Sequence, residues 1–273
     1  MSEPVNKRPI GVFDSGLGGL TVLKAVMARL PHEDTIYFGD SGRAPYGSKS
    51  ADTVTKFSLQ NARFLLEQQV KMIIIACNTA SSRAFDAVSQ SAGLPVIEVI
   101  GPGARAAAQA TRNRRIGVIG TRGTVDSQVY PAAIRRCLDG PADIYQQACP
   151  LFVSLAEEGW WDRPVTYDIA RIYLEPLLER GIDTLVLGCT HYPLLSGVIA
   201  AAAGPDVRLV NAGAPIAGIV AQTLERTGLI NDSRLPGKHV YFTSDSVEQF
   251  KTLGSAFLDE PVEQAYRIDI ERY

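Results

Sequence analysis

Two cysteines in this sequence end short aliphatic segments and are followed at once by polar residues. Cys77 ends "MIIIAC" and precedes an Asn-Thr pair, and Cys189 ends "TLVLGC" and precedes a Thr-His pair. A thiolate can act as a base, and a thiol at a strand-to-helix junction lies near the positive end of the helix dipole. Two such thiols, one on each side of a carbon, could remove a proton from one face and return one to the other. That chemistry is racemisation or epimerisation.

The remaining cysteines lack these surroundings. Cys137 lies in a predicted helix and Cys149 lies near a predicted edge strand. A single buried cysteine usually behaves as a small hydrophobic residue, so both are interpreted as structural. The sequence has no C-x-x-C pair and its three histidines are scattered. We therefore expect neither a metal site nor disulfides.

Charged side chains near the two thiols could assist them. Asp14 and Ser15 end the first predicted strand. Asp14 could accept a proton from Cys77, hold a substrate ammonium group, or simply cap the following helix, and these alternatives stay open. His191, two residues after Cys189, could serve the second thiol in the same way.

Neutral hydrogen-bond donors also follow the strands, and they could hold a substrate carboxylate. Tyr46 and Gly47 offer a hydroxyl and a free backbone N–H in the loop after Pro45. Glu157 or Glu158 could face the site, but a solvated helix end is the default role for both. The candidate donors are Asn78, Thr79, Thr190, Tyr46 and Gly47.

The elements that position these residues alternate between strand and helix. Aliphatic runs predict strands, beginning with Ile10 to Phe13, and segments with apolar residues at helical spacing lie between them. A helix is predicted from Thr166 to Arg180, with Pro176 inside it. Alternation of this kind predicts βαβ units and a parallel sheet. The other predicted strands are "DTIYFGD", "KMIIIACN", "PVIEVI", "RRIGVIG", "ADIYQQACP" (an edge strand), "DTLVLG", "VRLVNAG" and "KHVYFTSD".

The pattern of elements occurs twice, which indicates an internal duplication. Gly11 corresponds to Gly117 at an offset of 106 residues, and Cys77 corresponds to Cys189 at an offset of 112. Ligands of open α/β sheets bind at the carboxyl ends of the strands, where both cysteines are predicted to lie. Two modules facing each other would direct both thiols at one cleft.

Composition excludes several classes of function. The chain has 273 residues, 46% of them hydrophobic, and a net charge of −2, which argues against a nucleic-acid-binding protein. Its N-terminus lacks the apolar segment of a signal peptide, and its aliphatic runs are too short to span a membrane, so we expect a cytoplasmic protein. "GLGGLT" lacks the last glycine of the dinucleotide motif, no phosphate-binding loop is present, and no lysine is placed for a pyridoxal cofactor. We expect no cofactor.

Five segments, "GVFDSGLGGLTVL", "YFGDSGRAPYG", "ACNTAS", "GVIGTRGTV" and "LGCTHYPLL", together resemble the glutamate racemases of the cofactor-independent aspartate/glutamate racemase superfamily. The resemblance implies that Cys77 and Cys189 are the two bases, that Asp14 assists Cys77, and that His191 with Glu157 assists Cys189. It also implies a set of glutamate contacts, namely Asp14, Ser15, Tyr46, Gly47, Asn78, Thr79, Thr190 and His191.

The resemblance further implies two pseudo-symmetric α/β domains with mainly parallel sheets and an active site in the cleft between them. The expected domains are residues 1–98 with 212–273, and residues 99–211. Family members imply a homodimer that supplies D-glutamate for peptidoglycan. An aspartate racemase is the nearest alternative, because the two cysteines do not distinguish the substrates. A non-catalytic binding protein on the same scaffold is a third reading, which would require that one thiol be missing.

Overall fold

The structure, a computed structural model, describes residues 4–273. This part of the chain divides into two compact units, one made of the residues up to Val99 together with Gly213–Tyr273, and the other of Ile100–Ala212. Every strand pairing within the two sheets is parallel, which confirms the predicted α/β class. Within residues 4–273, no helix combines the length and the apolar character that crossing a bilayer requires.

The first unit contains a six-stranded sheet, and its last two strands come from the end of the chain. Helices and strands are numbered along the whole chain. The elements of this unit are β1 (Ile10–Asp14), α1 (Leu20–Arg29), β2 (Thr35–Gly39), α2 (Ala51–Glu67), β3 (Met72–Ile75), α3 (Asn78–Ala92), β4 (Val96–Glu98), α10 (Gly213–Thr227), β9 (His239–Thr243), α11 (Val247–Leu258) and β10 (Ala265–Arg267).

The second unit contains a four-stranded sheet and is continuous in sequence. Its helix α8 begins at a proline and extends past Pro176, two residues short of the predicted end. The elements are α4 (Ile100–Ala110), β5 (Arg115–Gly120), α5 (Arg122–Asp126), α6 (Val129–Arg136), β6 (Asp143–Ala148), α7 (Leu151–Glu157), α8 (Pro164–Leu178), β7 (Thr184–Gly188), α9 (Ser196–Ala203) and β8 (Arg208–Val210).

The first four strands of each unit have the same order in its sheet. The first sheet reads β10-β9-β2-β1-β3-β4 and the second reads β6-β5-β7-β8, with β6 at the edge as predicted. Removing β9 and β10 therefore leaves two sheets in which the first strand lies between the second and the third. Strand β1 corresponds to β5, and β3 corresponds to β7. This equivalence supports the duplication inferred from the sequence.

Continuous burial explains why the central strands read as aliphatic runs. All residues of β1, β3 and β7 are buried, so neither face of these strands meets water. Parallel strands covered on both faces need apolar side chains at every position rather than at alternate ones. Because the strands are parallel, their carboxyl ends lie along one edge of each sheet, and that edge carries the polar residues of interest.

A buried ion pair lies at the opposite edge of the first sheet. The Lys71 ammonium, just before β3, donates to the Glu33 carboxylate and to the backbone carbonyl of Asn6, the second at 2.6 Å. Both charged side chains are at most 2% exposed. The other Glu33 oxygen accepts the backbone N–H of Asn231 at 2.7 Å. Burial lowers the pKa of Lys71, and the Glu33 hydrogen bond and charge oppose that change. The pair thus joins four separate segments of the first unit.

Candidate active site

Cys77 caps the helix that follows its strand. It is the N-cap residue of α3, and its sulfur accepts the backbone N–H of Ala80 at 3.4 Å. Its side chain also lies 3.5 Å from the Ser15 hydroxyl oxygen, to which the thiol donates. A helix N-terminus places partial positive charge beside the sulfur, the arrangement that favours a reactive thiolate. The residue is buried, with 5% of its surface exposed.

Asp14 ends β1 but does not cap α1. The helix begins at Leu20, its N-cap is Gly19, and that cap has no side-chain hydrogen bond. The Asp14 carboxylate, which is fully buried, instead accepts the Gly16 N–H at 3.1 Å. The helix-cap alternative is therefore wrong. We call Asp14, Ser15 and Cys77 the first thiol cluster.

A buried tyrosine holds the turn that carries Asp14 and Ser15. The Tyr37 hydroxyl donates to the Gly16 carbonyl at 2.8 Å. Burial raises the pKa of Tyr37 well above 10, and the charges of Asp14 and Cys77 raise it further. A Cβ at Gly19 would lie 2.8 Å from the tyrosine oxygen and 2.5 Å from the Asp14 Cβ, so the turn requires glycine there.

The hydroxyl of Tyr46, in the loop after β2, is bonded within the protein and is not available to a ligand. The Tyr46 hydroxyl donates to the Asp40 carboxylate and accepts from the Asn61 amide at 3.1 Å, and the residue is 1% exposed. Arg43 binds the same carboxylate at 2.8 Å. The hydroxyl is thus committed to a buried network. What the short 3-10 turn Tyr46–Ser48 can present to a ligand is its backbone, including Gly47.

Cys189 lies beside an imidazole in the second unit. Its sulfur is 3.8 Å from Nδ1 of His191, and Nε2 of the same ring is 3.0 Å from Oε1 of Glu157. Cys189 and His191 are 6% and 5% exposed, whereas the Glu157 side chain is 38% exposed. We call Cys189, His191 and Glu157 the second thiol cluster.

The two neighbours of His191 determine its charge. Burial alone would lower the pKa of His191, but the hydrogen bonds to Cys189 and Glu157 and the charges of both groups raise it to about 10. The ring is therefore an imidazolium at neutral pH, placed between a sulfur and a carboxylate. An imidazolium in that position stabilises a thiolate and can return a proton to it.

The structure brings the remaining candidate residues to the same strand ends. Asn78 and Thr79 are the first two residues of α3 and are buried, and Thr190 is buried directly after Cys189. Each takes part in hydrogen bonds or electrostatic contacts within the protein. Glu158, in contrast, is exposed at the C-cap of α7.

Sequence reasoning missed Thr121 and Thr124. In the pairing of β5 with β7, Gly120 is opposite Gly188. Thr121, the residue after β5, therefore lies beside Cys189, the residue after β7. Thr121 caps α5 by accepting the Thr124 N–H at 3.2 Å, and both threonines are buried. The signal was available, because the offset of 106 residues that relates Gly11 to Gly117 also relates Ser15 to Thr121.

The other two cysteines, Cys137 and Cys149, lie outside the two thiol clusters. Cys149 is fully buried, its thiol donates to the Gln147 carbonyl at 3.6 Å, and burial raises its pKa so that it stays protonated. Cys137 is exposed at the C-cap of α6. Across residues 4–273, no three His, Cys, Asp or Glu side chains are grouped so that they could hold a metal ion.

Three comparisons place the chain among known proteins. A family model described as Asp/Glu/Hydantoin racemase matches residues 20–217. A glutamate racemase of Geobacter metallireducens is 49% identical over 264 residues, covering 97% of each chain. The crystal structure of glutamate racemase from Francisella tularensis in complex with D-glutamate superposes with a TM-score of 0.92 at 38% identity, covering 98% of this chain and all of that one.

A second solved glutamate racemase structure is also similar to this chain. Glutamate racemase from Thermus thermophilus, in complex with β-chloro-D-alanine, has a TM-score of 0.88 and 44% identity and covers 99% of this chain and 100% of its own. The Geobacter relative and both solved structures cover at least 97% of this chain, and the family model spans both Cys77 and Cys189. The chain belongs to the Asp/Glu/Hydantoin racemase family.

Proposed function

We propose that the protein is a glutamate racemase that interconverts L- and D-glutamate without a cofactor. The observation that carries the proposal is the placement of two thiols after equivalent strands, β3 and β7, of a duplicated sheet. Each thiol has its own polar partner, Ser15 for Cys77 and His191 for Cys189. Relatives named glutamate racemase, whose matches cover 96–97% of the chain, support glutamate rather than another amino acid.

The proposed reaction uses both thiol clusters on the same substrate carbon. One cysteine, as thiolate, takes the proton from Cα and becomes a thiol, which leaves a carbanion. The other cysteine, as thiol, gives its proton to the opposite face of Cα and becomes a thiolate. Configuration is inverted and the two sulfurs have exchanged protonation states. A turnover in the reverse direction, or proton exchange with water, restores them.

The Cα proton is a weak acid, so the surrounding groups must stabilise the carbanion and hold the substrate. We assign Asp14 to the side of Cys77, and His191 with Glu157 to the side of Cys189. The substrate contacts that we propose are Asp14 and His191 together with the neutral donors. These donors are Ser15, Tyr46, Gly47, Asn78, Thr79 and Thr190. Preorganised donors of this kind are commonly worth more to a reaction than the base itself.

A deuterium-exchange assay tests the function. L-glutamate, D-glutamate and L-aspartate are incubated separately with the protein in D₂O, and Cα deuterium and enantiomer ratio are measured by NMR and chiral chromatography. We expect both glutamates to reach a racemic mixture with deuterium at Cα, and aspartate to react far more slowly. Faster turnover of aspartate would make the protein an aspartate racemase. Binding without exchange would leave it a binding protein.

We expect Glu157→Gln to shift the pH profile toward acid. The substitution removes a carboxylate that helps raise the pKa of His191, so the imidazolium loses its proton at a lower pH. The alkaline limb of kcat should therefore move to lower pH, and the rate at neutral pH should fall by about 10- to 100-fold, the value of a charged hydrogen bond.

The matched control for that variant is Glu158→Gln. It removes the same charge from the next residue, which is exposed at the helix end. Its pH profile should coincide with that of the wild type. An alkaline limb that stays in place in Glu157→Gln would remove Glu157 from the second thiol cluster.

We further propose that the enzyme is a cytoplasmic homodimer and that its product supplies peptidoglycan synthesis. The resemblance to glutamate racemases supports the dimer and the pathway. Four free cysteines support a reducing compartment. Sedimentation equilibrium at micromolar concentration measures the oligomeric state, and a single species of 29.5 kDa would contradict the dimer.

A further inference from the structure

Tyr192 joins the backbone of Cys189 to a distant part of the second unit. It is fully buried in the turn after Cys189. Its backbone N–H donates to the Cys189 carbonyl at 3.2 Å, and its hydroxyl donates to the Cys149 carbonyl at 2.8 Å. One residue therefore fixes the segment that bears the catalytic sulfur to a residue 43 positions earlier in the chain.

The acceptor of that hydroxyl lies at the start of the helix that carries Glu157. The Cys149 carbonyl also accepts the Phe152 N–H at 3.2 Å, in the first turn of α7. Glu157 is the last residue of α7 and meets His191. The turn after Cys189 is thus bonded to α7 at both ends, by Tyr192 at the beginning and by His191 at the end. Cys149 and Glu157 are eight residues apart, so at 1.5 Å per residue these two points lie about 12 Å apart.

Packing fixes the position of the tyrosine ring. The Phe152 ring makes edge contacts with Tyr192 and with Tyr173, with centroids 5.2 and 5.3 Å apart. Burial raises the pKa of Tyr192 well above 10, and the charge of Cys189 raises it further. The hydroxyl consequently stays protonated, and remains a donor, throughout the pH range in which the enzyme would work.

The first unit contains the same device. The Tyr37 hydroxyl donates to the Gly16 carbonyl at 2.8 Å, in the turn that carries Asp14 and Ser15. In each unit the hydroxyl of a fully buried tyrosine bonds a backbone carbonyl and so holds a segment next to a thiol cluster. Tyr37 reaches that segment from β2, whereas Tyr192 lies within it, in the turn after β7. Neither hydroxyl has been placed in contact with substrate.

We propose that Tyr192 is a positioning residue for the second thiol cluster and that Tyr37 is its counterpart for the first. Each tyrosine sets the geometry of one of the two proton transfers and leaves the other unaffected. This inference rests on the proposed racemase function. It predicts an effect that is specific to one enantiomer, which a general loss of stability would not produce.

The symmetry of a racemase determines where that effect is visible. The equilibrium constant between enantiomers is one, so kcat/KM must fall equally in both directions. If only the transfer at Cys189 is slowed, that step limits the reaction from either side. The Cα–²H bond then breaks in the limiting step for one enantiomer and in a fast earlier step for the other. The two primary isotope effects should therefore diverge.

The experiment compares Tyr192→Phe with Tyr37→Phe in the full chain. Primary isotope effects on kcat/KM are measured with Cα-deuterated L- and D-glutamate, and far-ultraviolet circular dichroism with thermal melts monitors folding. We expect kcat/KM to fall by about 3- to 10-fold in each variant, the effect of one lost buried hydrogen bond. The isotope effect should rise for one enantiomer and fall toward the equilibrium isotope effect for the other, in opposite senses in the two variants.

Serine variants of the two cysteines show which enantiomer each thiol serves, because the remaining thiol still exchanges one Cα proton in D₂O. The isotope effect in Tyr192→Phe must rise for the enantiomer served by Cys189, and in Tyr37→Phe for the one served by Cys77. Equal isotope effects in either folded variant would overturn the positioning role alone. If one variant does not fold, the other decides the result. A wild-type protein that exchanges no Cα proton would overturn the proposed function as well.

Discussion

Replacing either Cys77 or Cys189 with serine is expected to lower the rate of racemisation by about 100- to 10,000-fold, the usual contribution of a general base. Serine fits the same space, but its hydroxyl is far less acidic than a thiol and supplies almost no anion at neutral pH. Each variant keeps one thiol, which can still remove a proton from one enantiomer and return deuterium to the same face. Exchange without inversion should therefore survive for one enantiomer only.

The two serine variants should retain exchange for opposite enantiomers, as shown by NMR of L- and D-glutamate in D₂O. Cys137→Ser is the matched control, because that thiol is exposed at a helix end, and its rate should equal that of the wild type. Racemisation at close to the wild-type rate in either Cys77→Ser or Cys189→Ser would refute the two-base mechanism.

Lys71→Met is expected to lower the free energy of unfolding of the first unit by about 3–5 kcal/mol. The substitution leaves Glu33 as a buried charge without its ammonium partner, since both side chains are at most 2% exposed. The double variant Lys71→Met/Glu33→Gln should recover most of the loss. Its glutamine keeps an oxygen that can accept the Asn231 N–H.

Urea denaturation followed by circular dichroism measures these differences. Lys24→Met provides the control, because Lys24 forms an ion pair with Asp259 in which the side chains are 46% and 79% exposed. Its loss should cost less than about 1 kcal/mol. If Lys71→Met cost no more than Lys24→Met, the buried pair would contribute nothing to the fold.

The sequence was most informative where burial is complete. Strands β1, β3 and β7 are buried on both faces, so their aliphatic runs were unambiguous, and the sulfur positions followed from the ends of those runs. Asp14 was ambiguous because a carboxylate before a glycine-rich turn resembles a helix cap. The Leu20 N–H bonds to the Leu17 carbonyl at 3.0 Å, so the turn begins with its own backbone bonds and needs no such cap.

Contacts between residues far apart in the chain could not be predicted from the sequence. The Tyr46 hydroxyl reaches Asn61, 15 residues away, and nothing local indicates that it is committed there. The Tyr192 hydroxyl reaches Cys149. The segment that contains Tyr192 indicated only the preceding residues, Cys189 to His191, as site residues. From the residues alone, Glu157 and Glu158 were equivalent. Their separation of about 100° around a helix brings only Glu157 to His191.

Strand β9 is synthesised long after its partner β2, which affects how the chain folds on the ribosome. In the finished sheet β9 pairs with β2 along its full length, from Thr35–His239 to Gly39–Thr243. About 200 residues separate the synthesis of the two strands, which at about 5–20 residues per second takes roughly 10–40 s. During that interval β2 has an edge of unpaired backbone groups, and all four strands of the second sheet are synthesised before β9. The nascent protein is therefore most open to mispairing along β2, on the side opposite β1.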